Sequence, residues 1–130
     1  MLENKKIVML VGPGFEASQI LPEEIDAVLI PGGWAPDKLR RDEKILRLVR
    51  KVYENSGLIG MICHAGLVGI SAGIVKGKRA TGSRGIKDDL ENAGAVWVDE
   101  PAFREGNIVW GTGRKRHSLL LQRVDCRAEG

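Results

Sequence analysis

Three short runs of unbroken apolar residues stand out along the chain: Ile7 to Val11, Ala27 to Ile30 behind Asp26, and Leu58 to Ile62. The first stops at Gly12-Pro13-Gly14, the second at Pro31-Gly32-Gly33, and the third runs straight into Cys63. Short continuous apolar runs that end in turn residues predict strands buried on both faces, as in the centre of a parallel sheet. The pattern changes period between them. Ile45, Leu46, Val49, Val52 and Tyr53 recur at three- and four-residue spacing and predict an amphipathic helix. Asp42 is placed to cap its start, Glu43 suits its first turn, and Gly57 lies just past its end. Gly66 to Ile74 predicts a small-residue helix fit for close packing on a sheet, and Ile86 to Ala93 a third helix closed by Gly94. Ala95 to Val98 predicts a strand, and Ala102 to Arg104 with Ile108 to Trp110 flank a Glu105-Gly106-Asn107 turn that predicts a hairpin. Strands alternating with helices point to an α/β fold.

Composition narrows this picture. The chain has 130 residues, 43% hydrophobic and 28% charged, which fits one folded domain and argues against disorder. No apolar run approaches the roughly 18 residues of a membrane span. The Ile7–Val11 run is shorter than the signal-peptide core of about 7–15 residues. Two cysteines without a secretion signal point to free thiols in a reducing, cytoplasmic setting. Residues 1–110 are electrically balanced, with 15 basic and 15 acidic side chains, so the whole net charge of +3 belongs to residues 111–130. That basic tail has no aromatic residues for base stacking, and a nucleic-acid partner is not expected.

Cys63 is the leading candidate for chemistry. It sits between a predicted strand and a predicted small-residue helix in Ile62-Cys63-His64-Ala65-Gly66, the pattern of a nucleophile elbow. A helix N-terminus there favours the thiolate, the reactive form. The competing reading is a buried, inert cysteine. His64 adjoins Cys63, although sequence neighbours usually point apart. The other histidine, His117, is in the tail, and two histidines and two cysteines at these spacings form no metal pattern. Neither a metal nor a cofactor is expected. The amides at Gly32 and Gly33 could form one side of an oxyanion hole with the amide of His64 on the other, or Pro31-Gly32-Gly33 could be a plain strand-ending turn. Glu16 follows the first strand at the edge where open α/β sheets place ligands. A protonated Glu16 would support a thiolate and an ionised one would oppose it.

Ile7 to Glu16, Pro22 to Gly33, Ile62-Cys63-His64, Gly85 to Leu90 and Asn92 to Asp99 together resemble the PfpI family. Its members are flavodoxin-like, cysteine-containing proteins of the class I glutamine-amidotransferase-like superfamily. The resemblance covers most of residues 5–110. It implies a three-layer sandwich with a mostly parallel sheet. It implies Cys63 as nucleophile, His64 as its partner, Glu16 as the carboxylate near the sulfur, and the Gly33 and His64 amides as oxyanion donors. In some members an acid after the Gly-Gly-x-Ala-Pro motif reaches the site of a neighbouring subunit; that position here is Asp37, one methylene shorter than the Glu of the pattern. The activities implied are intracellular peptidase, cofactor-free glyoxalase or deglycase. The partners implied are a small carbonyl compound or peptide and further copies of the chain.

Two departures accompany the resemblance. Residues 17–21 alone separate Glu16 from Pro22, where the family has a helix, at least one strand and a hairpin. At most about 3.6 Å per residue, that stretch cannot hold them, and a parallel crossover needs a dozen or more residues. The expectation is a sheet with helices on both faces but abridged on one flank, with shortened strands and exposed apolar surface. The domain is expected over residues 1–110. Residues 111–130, with adjacent leucines at 119–121, form an atypical tail without the spacing of the family's final amphipathic helix. The leading expectation for function is a Cys63-dependent enzyme. The alternative is a catalytically silent remnant serving as a binding or assembly module.

Overall fold

The computed structural model describes residues 5–10 and 21–113. Its main sheet has five strands: β1 (Ile7–Met9), β2 (Ala27–Ile30), β3 (Leu58–Ile62), β6 (Ala102–Glu105) and β7 (Ile108–Gly111). Their order is β1-β2-β3-β7-β6, parallel except for the β6–β7 hairpin. A separate parallel pair joins β4 (Arg79–Ala80) to β5 (Val96–Trp97). The described chain also has four α-helices, α1 (Ala35–Leu39), α2 (Glu43–Glu54), α3 (Gly66–Ala72) and α4 (Lys87–Asn92), and three short 3-10 turns.

The strand order explains where the helices lie. From β1 to β2 to β3 to β7 the chain always steps in the same direction across the sheet. Crossovers between parallel strands are almost always right-handed, so steps in one direction deliver their connections to one face. Val28, Ile30, Ile59, Met61, Ile108 and Trp110 point to that face and are buried with Val49, Val52, Val68 and Leu90. The alternate positions, Leu29, Leu58, Ile62 and Val109, point the other way. That second face carries no helix among the described residues. Ile7 and Met9 are each 57% exposed on it, and Ile62 is 45% exposed. The α/β class, the mostly parallel sheet and the abridgement are therefore all present. Helices are expected on both faces; the described ones occupy one, because no described strand reverses the winding.

Most elements form where the pattern places them. Asp42 caps α2, its Oδ1 accepting the Lys44 N–H at 2.9 Å. Beyond α2, Ser56 takes the positive φ of 67° expected of a glycine. Gly57 is required for closeness instead, since a Cβ there would lie 2.5 Å from the Val52 side chain. The predicted first strand is cut to three residues, with the Leu10 N–H still bonded to the Leu29 carbonyl at 2.9 Å. Shortening it leaves residues 10–26 to make the parallel return, enough for a crossover. The predicted strand at 95–98 is short and pairs outside the main sheet. Two elements went unread: α1, five residues behind an N-terminal Ala35-Pro36, and β4, two residues long.

Polar contacts tie the layers. The Arg79 backbone N–H and guanidinium both donate to Glu105, at 3.1 and 2.8 Å, linking β4 to β6. The backbone bond first, then the side-chain bond, hold the Glu105 carboxyl below its ordinary value. Asn107 Nδ2 donates to the carbonyls of Tyr53 (3.1 Å) and Gly57 (2.6 Å), fixing the hairpin turn against the end of α2 and the approach to β3. Asn107→Ala leaves both part-buried carbonyls without this donor and should cost about 1–3 kcal/mol. Urea unfolding with an unchanged m-value would register this as a lower midpoint; an unchanged midpoint would show that the turn holds without Asn107.

Candidate active site

The carboxyl ends of the central strands converge on Cys63. β3 ends at Ile62, and Cys63 opens a single 3-10 turn, Cys63–Ala65, that runs into α3. Cys63 has φ 61°, a conformation L side chains rarely adopt. Such strain costs roughly 1–3 kcal/mol and persists only where surrounding structure enforces it. The enforcement comes from three sides. Past β2, a Cβ on Gly32 would lie 2.6 Å from Cys63 Cβ and 3.3 Å from its Sγ, so only glycine fits. Past β7, Gly113 packs against Cys63 in the same manner. Past β4, Gly82 lies against the Cys63 carbonyl, which accepts the Ser83 N–H at 3.0 Å.

The turn brings together two side chains that sequence adjacency would separate. Cys63 Sγ lies 3.3 Å from His64 Nδ1. With that nitrogen unprotonated, the thiol can pass its proton to the imidazole; with it protonated, the thiolate has a donor. His64 Nε2 faces Gly85, where an added Cβ would come within 3.4 Å of it. Both residues line an open cleft of about 370 Å³ with Gly33, Trp34, Asp37 and Leu67. Leu67 and Trp34 give the cleft an apolar wall, and Trp34 is 87% exposed.

The expected site residues thus fall into two groups. Cys63, His64, Gly33 and Asp37 share the cleft, and Gly32 forms the contact behind the sulfur. Asp37 reaches this cleft from α1 of its own chain, with its carboxylate 2.6 Å from Arg41, one turn along. Glu16, His117 and Cys126 lie outside the described residues. Sequence reasoning missed Trp34, Leu67, Gly82, Ser83 and Gly113. Thr81-Gly82-Ser83 carried the available signal, a small-residue turn after a strand, but nothing local tied it to Cys63. Among the described residues no group of three His, Cys, Asp or Glu side chains is placed to hold a metal ion. None of their helices is long and apolar enough to cross a membrane.

The sequence model of the DJ-1/PfpI family matches residues 4–123. The chain belongs to this family. Deglycase PH1704 of Pyrococcus horikoshii is 42% identical over 91 residues, 70% of this chain and 55% of that protein. Putative cysteine protease YraA of Bacillus subtilis is 40% identical over 92 residues, 71% of this chain and 54% of that protein. The chain therefore spans about half the length of these relatives. Among solved structures, a two-domain protein from Anabaena variabilis with DJ-1/ThiJ/PfpI-like and ferritin-like domains matches with a TM-score of 0.75 and 34% identity. That match covers 85% of this chain and 32% of the other. The fold is that of the DJ-1/PfpI flavodoxin-like proteins.

Gly32→Ala should force Cys63 out of place. Displacing a reacting group by about 1 Å can cost on the order of 10²-fold. Iodoacetamide labelling of Cys63, followed at its own peptide by mass spectrometry, should slow while circular dichroism stays native. An unchanged rate would show that the contact does not position the sulfur.

Proposed function

We propose that the chain is a cysteine-dependent enzyme in which Cys63 attacks the carbonyl carbon of a small aldehyde, a glycated amine or a peptide. The observation that carries this reading is Cys63 itself: a nucleophile held at positive φ, 3.3 Å from His64 Nδ1, on the wall of an open cleft. His64 takes the thiol proton. The sulfur forms a bond to the carbonyl carbon, and the π electrons move onto oxygen. The product is a hemithioacetal from an aldehyde; from a peptide it is a tetrahedral adduct that collapses to a thioester as the C–N bond breaks and the amine leaves with the proton His64 took from the thiol. Amides of Gly33 and His64 receive the oxyanion in this scheme, which their common place on the cleft supports. The name of deglycase PH1704 supports a glycated substrate here, and that of putative cysteine protease YraA a peptide. The free thiol of Cys63 fits a cytoplasmic setting, where thiols stay reduced. The bare sheet face supports a second reading, a silent remnant that works by assembly.

Thiol reactivity separates the two. At pH 6 Cys63 should alkylate faster than free cysteine, and Cys63→Ser should abolish methylglyoxal consumption, deglycation and peptide cleavage without unfolding the chain. A Cys63 no more reactive than free cysteine would leave the assembly reading. Asp37→Asn should lower turnover equally at every protein concentration, because the carboxylate lies on its own chain's cleft. A loss seen only where the chain associates would assign Asp37 to a neighbouring copy's site.

A further inference from the structure

Resting on the reading of Cys63 as a nucleophile, we infer that Trp34 selects the substrate of this cleft: a compound with a flat, uncharged apolar group beside the carbonyl that Cys63 attacks. Trp34 is 87% exposed, more than any other large apolar side chain among the described residues. A lone exposed apolar residue is ordinary on a protein surface. Three features set this one apart. It lines the cleft that holds Cys63 and His64. The backbone beneath it is anchored, because Pro36 stands in the first turn of α1, Pro36 and Leu39 are buried, and Arg40 Nε donates to Ser71 Oγ at 2.9 Å, tying α1 to α3. The space beside it is clear, since a Cβ on Gly33 would meet nothing within 4 Å. An indole is thus left bare on a fixed support, next to a nucleophile, where a bound substrate would cover it.

The walls decide the chemistry of that group. Trp34 precedes α1 and Leu67 lies in the first turn of α3, so apolar side chains line the cleft from both elements. An indole face and an aliphatic side chain together suit a ring, which covers much area with few rotatable bonds to immobilise. A cation is also attracted to an indole face. The carboxylate of the cleft, on Asp37, already holds the Arg41 guanidinium at 2.6 Å, so its charge is met and that guanidinium opposes a second cation. No other acidic residue lines the cleft among the described residues. At about 370 Å³ it lies at the lower end of pockets for drug-sized ligands, roughly 300–1,000 Å³. It therefore has room for a ring as well as the reacting carbonyl, room that methylglyoxal would leave unfilled. Two sources present such a group: an aryl-substituted α-oxoaldehyde, and a peptide whose scissile carbonyl belongs to an aromatic residue.

Alkylation of Cys63 in the full chain reads the preference without turnover. The sulfur displaces iodide from iodoacetamide and from N-phenyl iodoacetamide, and each rate is followed at the Cys63 peptide by mass spectrometry. The ratio of aryl to parent rate should exceed that of free cysteine by about tenfold, the low end of discrimination by an apolar pocket. Trp34→Ala should return the ratio to that of free cysteine, and Trp34→Phe should keep most of it. Leu67→Ala repeats the test from the opposite wall should Trp34→Ala unfold the chain. A wild-type ratio equal to that of free cysteine, or one that a folded Trp34→Ala leaves intact, overturns the inference. A larger gain for an iodoacetamide with a quaternary ammonium arm overturns it too, by assigning Trp34 to a cation. A Cys63 that reacts with iodoacetamide itself no faster than free cysteine defeats the enzyme reading, whereas the ratio judges the apolar subsite by itself. In an active chain, turnover names the source. Phenylglyoxal should be preferred over methylglyoxal, or cleavage after phenylalanine over alanine in an otherwise identical peptide, and Trp34→Ala should lower that preference about tenfold. Equal kcat/KM within both pairs overturns the inference.

Discussion

The handedness of the crossover connection governs this molecule. Four parallel strands follow one another in a single direction across the sheet, and right-handed connections then stack the described helices on the same side. A doubly wound sheet covers its second face by reversing direction once, because strands laid down the opposite way send their helices to the opposite side. No described strand makes that reversal here. Among the described residues one whole face of the sheet therefore carries no helix, although its strands are apolar on both sides.

The winding leaves the reactive end intact. β2, β3 and β7 are adjacent and parallel, so their carboxyl ends still gather around one point. Cys63 occupies that point, and its strained backbone is over-determined by Gly32, Gly82, Ser83 and Gly113 from three neighbouring connections. The cleft and the bare face lie on different aspects of the same strands. Chemistry at the strand ends depends on local convergence, whereas cover of the sheet depends on the global path. The two can therefore part company in an abridged chain, with Ile62 the residue where they meet.

Stability rests on the covered face. Trp110 and Leu90 pack over Gly66, and Val49, Val52 and Val68 lie against Val28, Ile59 and Met61. Asn107 closes the hairpin onto α2 and β3 with two hydrogen bonds, and the Arg79–Glu105 pair fastens the small sheet to β6. These contacts all lie on the helix side or at the strand ends. Nothing described braces the opposite side, where burial of Ile7, Met9 and Ile62 would contribute most.

The sequence by itself determined the elements, because their signals are local. Apolar runs gave β2 and β3, the helical stripe and the Asp42 cap gave α2, and Cys63 between strand and small-residue helix marked the candidate reactive position. Short elements escaped: α1 is five residues and β4 two, too brief for any periodicity to register. Only the tertiary structure decided that Cys63 Sγ and His64 Nδ1 face each other, since that follows from a positive φ on a residue that ordinarily avoids it. Only it showed that Gly82 and Ser83 pack on the Cys63 carbonyl and Gly113 on its Cβ, since they reach it from distant positions in the chain. It also decided that one face of the sheet is bare. Each strand reads as apolar on both sides, and which side receives cover depends on the order and hand in which the strands are joined.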